Sequence, residues 1–508
     1  MFQSNSRSGE NLQLASLGLL TMGLGGCYWL GGFGLSSIGG EAAVFKFLSV
    51  FGVAFLFYGL VLWLLKRIGS RVSPRWLVGW IVGAAIVFRI FLLPAGISDG
   101  VTWEKLKADV TGTEVVFDRF LLYDHDVWRY LWDGHVQSAG INPYACAPAE
   151  LEPGSGVVFE ANPDLEEQLF PTDTWSDIWD NLNYKEIRTV YPPLLQAAFR
   201  LSHAVAPGSV LVWKLILLVC DVGLCLVLLS LLKALNQPVW LLAGYAWNPL
   251  VIKEIVGSAH ADVIPALMIV LAVLALVKMK PLWAGVWLAG GILAKLAPAV
   301  LVFLIWKRLG WTGVIVCGLG TVAGVLPFVI TGDNLLGGLG TYSQEWIFNP
   351  GFFELVRWLA VWLMPSINPS TAGKVAGGVC YLGLLVWLYR THVSESALDL
   401  VHTSLLAIGG ILFFSSAVMP WYLVWVLPLA LAGQRFAWVV YSALCLLSYW
   451  VYIRGDGIEE PWRLWLIHGG FVVALIVEQM YVRRVKHPHP RQTLVPPQSF
   501  STKDKESG

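Results

Sequence analysis

Long apolar segments recur almost from end to end of this chain, and short polar or basic turns separate them. Each segment is about 17–25 residues long, which is the length that an α-helix needs to cross a bilayer. The first runs from about Leu14 to Ile38, and the last ends near residue 482. The pattern predicts an all-α polytopic membrane protein with a bundle of about 12–13 transmembrane helices.

One long loop interrupts this pattern, because residues 97–190 are rich in Asp, Glu, Trp and Asn. Long loops in compact proteins are usually either functional or disordered. The first apolar segment has no compact cleavage site and is interpreted as a retained signal anchor, and the basic, Pro-rich tail is predicted to be disordered. Five regions follow: a polar N-terminus (1–13), three transmembrane helices (14–96), the loop (97–190), a transmembrane core (191–482) and the tail (483–508).

The composition agrees with a membrane protein, since 56% of the residues are hydrophobic and 13% are charged. Soluble domains carry about 25% charged residues. The 34 basic residues equal the 34 acidic ones, so nucleic acid is not an expected partner. Membrane lipids are expected partners because of the apolar segments. The seven Cys show neither a disulfide framework nor zinc-finger spacing.

Basic residues orient the chain, because Lys and Arg collect in cytoplasmic loops. Lys66 and Arg67 follow the second apolar segment, so the third segment delivers residues 97–190 to the extracytoplasmic side. The count continues with 239–256 as one span and 353–364 as an interfacial helix. It places both termini in the cytoplasm.

The apolar segment 281–306 has basic residues at both ends, Lys280 and Lys307. One straight span would therefore violate the charge rule. Lys295 and Pro298 lie near its middle, and broken backbone at membrane depth is tolerated where it lines a cavity. We predict a re-entrant pair of half-helices that turns between Lys295 and Pro298.

Two carboxylates in the long loop, Asp124 and Asp126, are the strongest candidates for catalytic residues. They precede a segment with Trp and Leu at helical spacing, which predicts an amphipathic helix that begins near Val127 and lies along the membrane surface. One Asp could simply cap that helix. The pair could also supply a general base and a second carboxylate that raises its pKa. Asp126 is nearer the helix start and is expected to be the cap, which leaves Asp124 as the favoured base.

Cations near the outer ends of spans are candidates for binding an anion. Lys253, Gly257 and His260 lie at i, i+4 and i+7, and would share one helical face with Glu254 beside them. The alternative is a snorkelling Lys253 that pairs with Glu254. Lys295 in the predicted hairpin allows the same two interpretations.

A metal site is a further possibility, in which His260 and Asp262 would join Asp124 and Asp126. Tight ligand spacing is absent from this part of the sequence. A divalent metal is therefore not favoured, and no cofactor is predicted.

The segment from Asp124 to Tyr144 resembles the first lumenal loop of GT-C membrane mannosyltransferases. These include bacterial polyprenol-phosphomannose-dependent α-mannosyltransferases and the first mannosyltransferase of glycosylphosphatidylinositol assembly. In that loop an Asp-x-Asp pair precedes an aromatic-rich helix that ends in Gly-x-x-Pro-Tyr. The similarity continues through VYPPLLQ (190–196), AWNPLVIKEIVGSAHAD (246–262), LAKLAP (293–298) and SSAVMPWYLVWVLPL (415–429).

The resemblance implies a GT-C-like fold and the transfer of a sugar, mannose, from a polyprenyl-phosphate donor to a glycan or lipid-linked acceptor. The reaction would invert the anomeric centre in one displacement, on the extracytoplasmic face of a bacterial inner or plasma membrane. Asp124 or Asp126 would be the base, in one outward-facing cavity that opens laterally to lipid. The donor phosphate would bind Lys253, Lys295, Arg129, Arg188 and Arg454, and other substrate contacts would come from Tyr191, Glu254, His260, Asp262, Trp421 and Tyr422.

The sequence departs from the family in two ways, with two spans before the loop-bearing one and an acidic insertion at about 150–186. Two other functions stay open. A secondary transporter also has many spans and a broken helix, but it places its charged site near the bilayer midplane between repeats. A polymerase or ligase of lipid-linked glycans would share the donor and differ in the acceptor.

Overall fold

The computed structural model describes residues 2–35, 40–152, 164–329, 337–391, 396–454 and 460–486. Within these ranges the chain is helical, and its extended residues form only isolated bridges. Eight of the described helices are long and apolar enough to cross a membrane, and four shorter apolar helices accompany them. The predicted all-α polytopic membrane protein is thereby confirmed.

The first three helices are α1 (Phe2–Phe33), α2 (Gly40–Ile68) and α3 (Pro74–Leu92). The polar N-terminal residues continue the first apolar helix and do not form a separate segment. Ser73 starts α3, because its side-chain oxygen accepts a hydrogen bond from the backbone N–H of Trp76. Both α2 and α3 pack against α1.

The long loop contains short helices, and the one that follows the two aspartates is buried. Every residue from Val127 to Val136 is buried, so this helix lacks the exposed polar face that the amphipathic pattern predicted. The reason is that later helices pack against it and cover its polar face. The helices of the loop are α4 (Trp103–Thr111), α5 (Asp126–Ser138), a 3₁₀ turn (Pro148–Leu151), α6 (Asp164–Leu169) and α7 (Asp173–Asp180).

The segment predicted as one span at 239–256 is instead a series of short helices. Its backbone breaks at Asn248, whose side chain accepts bonds from two following N–H groups, and Pro249 supplies no N–H of its own. The elements here are α8 (Pro193–Val205), α9 (Val210–Ala234), a 3₁₀ turn (Val239–Leu241), α10 (Leu242–Ala246), α11 (Pro249–Ile252) and a π-helical turn (Lys253–Gly257).

The break predicted in 281–306 is confirmed. Helix α13 (Pro281–Ala294) ends at Lys295, which is extended with φ −158° and ψ 138°, and the chain becomes helical again in α14 (Ala299–Leu304). Helix α12 (Val263–Val277) precedes this pair and α15 (Trp306–Val329) follows it, with a further kink at Gly310.

The packing of α13 on α15 shows that the chain turns back between them. A Cβ added at Gly285 would lie 2.3 Å from the carbonyl oxygen of Gly313, and one added at Gly324 would lie 2.4 Å from the side chain of Leu293. Residue numbers rise together along the two helices, so they run parallel. The residues between them must therefore return across the same layer, as a re-entrant hairpin requires.

The remaining helices complete the bundle around the predicted site. A helix, α17, is present where the interfacial one was predicted at 353–364, and its Trp358 and Trp362 are exposed. The tail predicted as disordered is helical up to Lys486, and the rest lies outside the described residues. The helices are α16 (Gly337–Glu345), α17 (Phe352–Leu363), α18 (Pro369–Thr391), α19 (Ala397–Phe414), a 3₁₀ helix (Pro420–Trp425), α20 (Leu427–Ala432), α21 (Ala437–Cys445), a 3₁₀ turn (Leu446–Trp450), α22 (Val451–Arg454), α23 (Pro461–Leu464), a π turn (Trp465–Gly469) and α24 (Gly470–Lys486).

Candidate active site

A cavity of about 430 Å³ lies between the long loop, the hairpin at 295–297 and the segments 346–348 and 415–425. Its wall is polar on the side of the loop and largely apolar on the side of α19 and the 3₁₀ helix. Most of the residues singled out in the sequence line it: Asp124, Asp126, Arg129, Arg188, Tyr191, Asp262, Lys295, Trp421 and Tyr422.

The two aspartates form one end of the cavity. A turn at Leu122 and Tyr123, both with positive φ, brings them to the start of α5. The Oδ1 atom of Asp124 accepts a 2.8 Å bond from the backbone N–H of Asp126, and Asn183 donates a 3.1 Å bond to Oδ1 of Asp126.

The expectation that Asp126 caps α5 is wrong. The N-cap residue is His125, which makes no side-chain cap bond, and Asp126 is the first helical residue. The carboxylate of Asp124 bonds an N–H group of the first turn, so any capping belongs to Asp124. The candidate base, Asp124, is therefore also the side chain that bonds the first turn of α5.

The environment of Asp124 strengthens it as a base. Burial raises its pKa well above the usual range for a carboxyl group, and the neighbouring negative charge of Asp126 raises it further. The raised pKa means that the Asp124 carboxylate takes up a proton at a higher pH than an exposed aspartate does.

Four buried side chains lie behind the aspartates. His260 Nε2 is 3.6 Å from Oδ1 of Asp124 and 3.5 Å from Oε2 of Glu254. The ammonium of Lys253 lies 3.1 Å from the same Glu254 oxygen, and Tyr449 donates a 2.7 Å bond to the other one. The structure therefore brings Lys253, Glu254 and His260 to the acid end, beneath the surface of the cavity.

The helical spacing used to group Lys253 with His260 does not apply. The backbone forms a π turn over Lys253–Gly257 and leaves the helix at Ser258, so His260 is not helical. Lys253 is fully buried and is not part of the cavity wall. Its pairing with Glu254 matches the alternative interpretation given for this lysine.

Three residues at the acid end have the composition and spacing of a possible metal site. One ligand atom from each of Asp124, Asp126 and His260 lies within 4.8 Å of the other two. His260 is fully buried, its ring nitrogens have no hydrogen-bond partner among the described residues, and its ring stacks 3.7 Å from that of Trp421. These three side chains could hold a divalent cation.

A lysine, Lys295, also lines the cavity. Lys295 Nζ lies 3.5 Å from Oδ1 of Asp262, which also accepts a 2.9 Å bond from the indole N–H of Trp425. The ammonium is 5.0 Å from the centre of the Tyr422 ring and 5.5 Å from that of Trp425. Because Lys295 lines the cavity and Lys253 does not, Lys295 is the lysine of the two that can meet a bound anion directly.

The three candidate arginines differ in their surroundings. Arg129 is buried, and its guanidinium donates a 2.8 Å bond to Asp133 and a 2.9 Å bond to the carbonyl of Ile187. Arg188 is half-exposed and lies 3.9 Å from Glu150. The side chain of Arg454 lies outside the described residues.

A buried polar network that the sequence did not suggest fixes the loop to the bundle. Asp133 accepts a 2.6 Å bond from the hydroxyl of Thr189 and a 2.8 Å bond from the amide of Gln196. Tyr144 donates a 2.6 Å bond to the carbonyl of Tyr191. The motif at 190–196 was visible in the sequence. Nothing in the local pattern of α5 indicated that Asp133 would bond to it.

One family of known proteins matches the part of the chain that holds these residues. Residues 121–310 match the family described as alpha-(1->6)-mannopyranosyltransferase, N-terminal domain. No curated protein and no solved structure shows a significant match. The matched range includes both aspartates, the π turn and Lys295. Over residues 121–310, which are less than half of the chain, the protein is thus similar to the N-terminal domain of these mannosyltransferases, in agreement with its resemblance to GT-C-like mannosyltransferases.

Proposed function

We propose that this protein transfers mannose from a polyprenyl-phosphate donor to a hydroxyl group of a glycan or lipid-linked acceptor, on the extracytoplasmic face of the membrane. One observation carries the proposal, namely that a single cavity in a polytopic membrane protein is lined both by paired carboxylates and by Lys295. A base and an anion-binding cation are the two groups that such a transfer needs.

The donor phosphate would bind beside Lys295 in the cavity. Lys295 projects from the hairpin into the cavity, and Arg188 stands at the half-exposed side of the same cavity. Both cations can neutralise the phosphate as its bond to the sugar breaks. Lys253 would act from beneath, by holding Glu254 and balancing charge at the acid end, and would not touch the donor.

The acceptor would bind at the aspartate end. Asn183, Tyr184 and Trp346 line the cavity beside Asp126, and the Tyr184 and Trp346 rings lie 4.4 Å apart. Tyr184 has a positive φ of 47°, a conformation that is costly for a non-glycine residue and is concentrated at functional sites. Two aromatic rings with a few polar groups suit a hydroxylated ring ligand.

The reaction would proceed in one displacement. The acceptor O–H gives its proton to Asp124 while its oxygen forms a bond to the anomeric carbon of mannose. The bond from that carbon to the phosphate oxygen breaks, and its electron pair stays on the phosphate beside Lys295. Attack from the side opposite the leaving phosphate inverts the anomeric centre. This scheme needs no metal ion.

The test is transfer by the purified protein in lipid nanodiscs, with polyprenyl-phosphate-mannose and GDP-mannose compared as donors. We expect transfer from the lipid donor alone, and a product of inverted anomeric configuration by NMR. Transfer from GDP-mannose alone, or retention of configuration, would refute the proposal. Uptake of a solute into sealed vesicles without any transfer would favour a transporter.

A further inference from the structure

A strained asparagine ends the segment that carries Trp346 into the cavity wall. Asn349 is fully buried and has a positive φ of 45°. A non-glycine residue adopts this conformation at an energetic cost, and keeps it only where the surrounding structure holds it. The contacts of Asn349 therefore identify what fixes this part of the wall.

Two residues from distant segments hold Asn349. Its side-chain amide donates a 3.3 Å bond to the carbonyl of Val418. The Nε2–H group of His468 donates a 2.9 Å bond to the backbone carbonyl of Asn349 and lies 3.2 Å from its side-chain oxygen. Because Nε2 carries the hydrogen, Nδ1 of the neutral ring accepts, and the Tyr441 hydroxyl donates a 3.0 Å bond to it. Both ring nitrogens of His468 are thus used.

The chain approaches the His468 ring closely after Asn349. A Cβ added at Gly351 would lie 2.6 Å from Nδ1 of the ring, so a larger residue there would force the ring to move. His468 itself lies in the π turn Trp465–Gly469, and π turns inside helices are frequent at functional sites. The histidine and the segment before Gly351 therefore fit each other at one spacing.

The segment that His468 holds belongs to the cavity wall, whereas His468 does not line the cavity. Trp346 and Phe348 both line it, and the Trp346 ring lies 4.4 Å from that of Tyr184. The Ser416 hydroxyl donates a 3.0 Å bond to the carbonyl of Trp346. Trp346 thus lies between one anchor at Ser416 and a second anchor at Asn349.

We infer that His468 is a positioning residue for the acceptor, because it fixes the backbone at Asn349 and thereby holds the Trp346 ring beside Tyr184. This inference rests on the proposed function, in which these two rings contact the acceptor. Both His468 and Trp346 lie outside the range 121–310 that matches the mannosyltransferase family. One side of the acceptor site is therefore built from a part of the chain that this similarity does not cover.

The test is the KM for an alkyl α-mannoside acceptor at a saturating concentration of polyprenyl-phosphate-mannose. His468→Leu removes both ring nitrogens, and we expect the acceptor KM to rise about tenfold or more, while kcat and the donor KM stay within about twofold. His468→Gln keeps an N–H donor and should recover most of the loss. Tyr441→Phe removes only the bond to Nδ1 and should raise the acceptor KM by a smaller factor, which preserves the test if His468→Leu does not fold.

A double substitution separates a role through Trp346 from a general structural role. Trp346→Ala removes the ring through which His468 is inferred to act. In that background His468→Leu should raise the acceptor KM no further, because two substitutions that remove the same contact are not additive. The full further rise in the double variant would overturn the inference.

The matched control is His402→Leu. His402 is also a half-buried histidine whose Nε2 lies 3.0 Å from a backbone carbonyl, that of Gly433. Neither residue lines the cavity, and His402 lies about 14 Å along α19 from Ile411, which does. This variant should leave both KM values unchanged.

Two results would overturn the role of His468 while the proposed function stands. One is an equal rise of the acceptor KM in His402→Leu, and the other is an equal rise of the donor and acceptor KM in His468→Leu. If the unsubstituted protein transferred no mannose from the lipid donor, the proposed function would fail and this inference with it.

Discussion

His260 Nε2 lies 3.6 Å from Oδ1 of Asp124, and its other neighbour is a carboxylate oxygen of Glu254 at 3.5 Å. The histidine ring is thus held between a residue of the cavity wall and a residue buried beneath it. The ring therefore connects the motif at 124–144 with the motif at 246–262, and substitutions in each motif can separate their roles.

Asp124→Asn should lower turnover by about 100–10,000-fold, the usual range for removing a positioned base. The melting temperature of the variant should not fall, because the Asn side-chain oxygen can still accept the bond from the N–H of Asp126. Turnover and thermal unfolding of the same preparation are the measurements. Full activity would remove Asp124 as the base.

The contrasting control is Asp109→Asn. Asp109 accepts bonds from the Ser209 hydroxyl and from the N–H groups of Val210 and Leu211 at the start of α9. It should lower the melting temperature and leave the turnover of the folded fraction near normal. Loss of turnover at both sites with equal loss of stability would indicate that Asp124 is structural.

Activity should rise with pH through the raised pKa of Asp124, because only the carboxylate form accepts the proton. Asp126→Asn removes the neighbouring negative charge, which is one cause of the raised pKa. If this variant retains measurable turnover, the acid limb of its kcat/KM profile should therefore move to lower pH. An unmoved acid limb would show that Asp124 does not control it.

The same shift has a consequence for stability. A carboxyl group whose pKa is raised on folding stabilises the native state below its unfolded pKa, and this contribution is lost as pH rises through the folded value. Asp124→Asn should therefore flatten the fall in stability that occurs as pH rises through the pKa of folded Asp124. Thermal unfolding across the pH range, compared with the unsubstituted protein, measures the effect.

Lys295→Gln should raise the KM for the lipid donor about tenfold or more, and Lys295→Arg should recover part of it because the cation is retained. Lys253→Met should instead cost stability, since removing one partner of a buried ion pair costs about 3–5 kcal/mol. Donor KM and unfolding free energy distinguish the two lysines. A donor KM that rises in Lys253→Met without loss of stability would contradict these assignments.

Chelators should leave transfer unchanged, because the proposed displacement needs no metal ion. The measurement is turnover after dialysis against EDTA, followed by addition of Mn²⁺ or Mg²⁺. If activity is lost and the metal restores it, and if His260→Ala abolishes that restoration, then Asp124, Asp126 and His260 form a metal site and the scheme must change.

Gly285→Val should destabilise the hairpin. An added Cβ would lie 2.3 Å from the carbonyl oxygen of Gly313, and such overpacking typically costs about 1–3 kcal/mol. Gly318→Val on α15 is the control, because nothing lies within 4 Å of a Cβ at that position. Equal melting temperatures for the two variants would show that the close helix contact is absent.

Some features were predictable because one local signal was sufficient. Basic residues at both ends of 281–306, with Lys295 and Pro298 between them, predicted the broken hairpin. The aspartate pair was likewise visible as two carboxylates before a helix start, in a loop too polar for a span.

Other features depend on packing that the sequence does not show. The burial of α5 comes from helices later in the chain, so its own pattern suggested a surface helix. The grouping of Lys253 with His260 assumed α-helical spacing, which the π turn changes. Two partners of Asp133, Thr189 and Gln196, lie more than fifty residues away, beyond the reach of any local pattern.

The hydrogen bonds that Asp133 accepts from Thr189 and Gln196 limit how the cavity can change shape. They join the helix that carries Asp126 to the segment from Thr189 to Gln196, so this part of the cavity wall moves as one rigid unit. The facing wall is held by other contacts, because Phe348 forms backbone hydrogen bonds with Ser416 and Val418, and Lys295 lies near Asp262. In the proposed reaction, an acceptor bound beside Asp126 would therefore meet a wall whose shape is fixed before the acceptor binds.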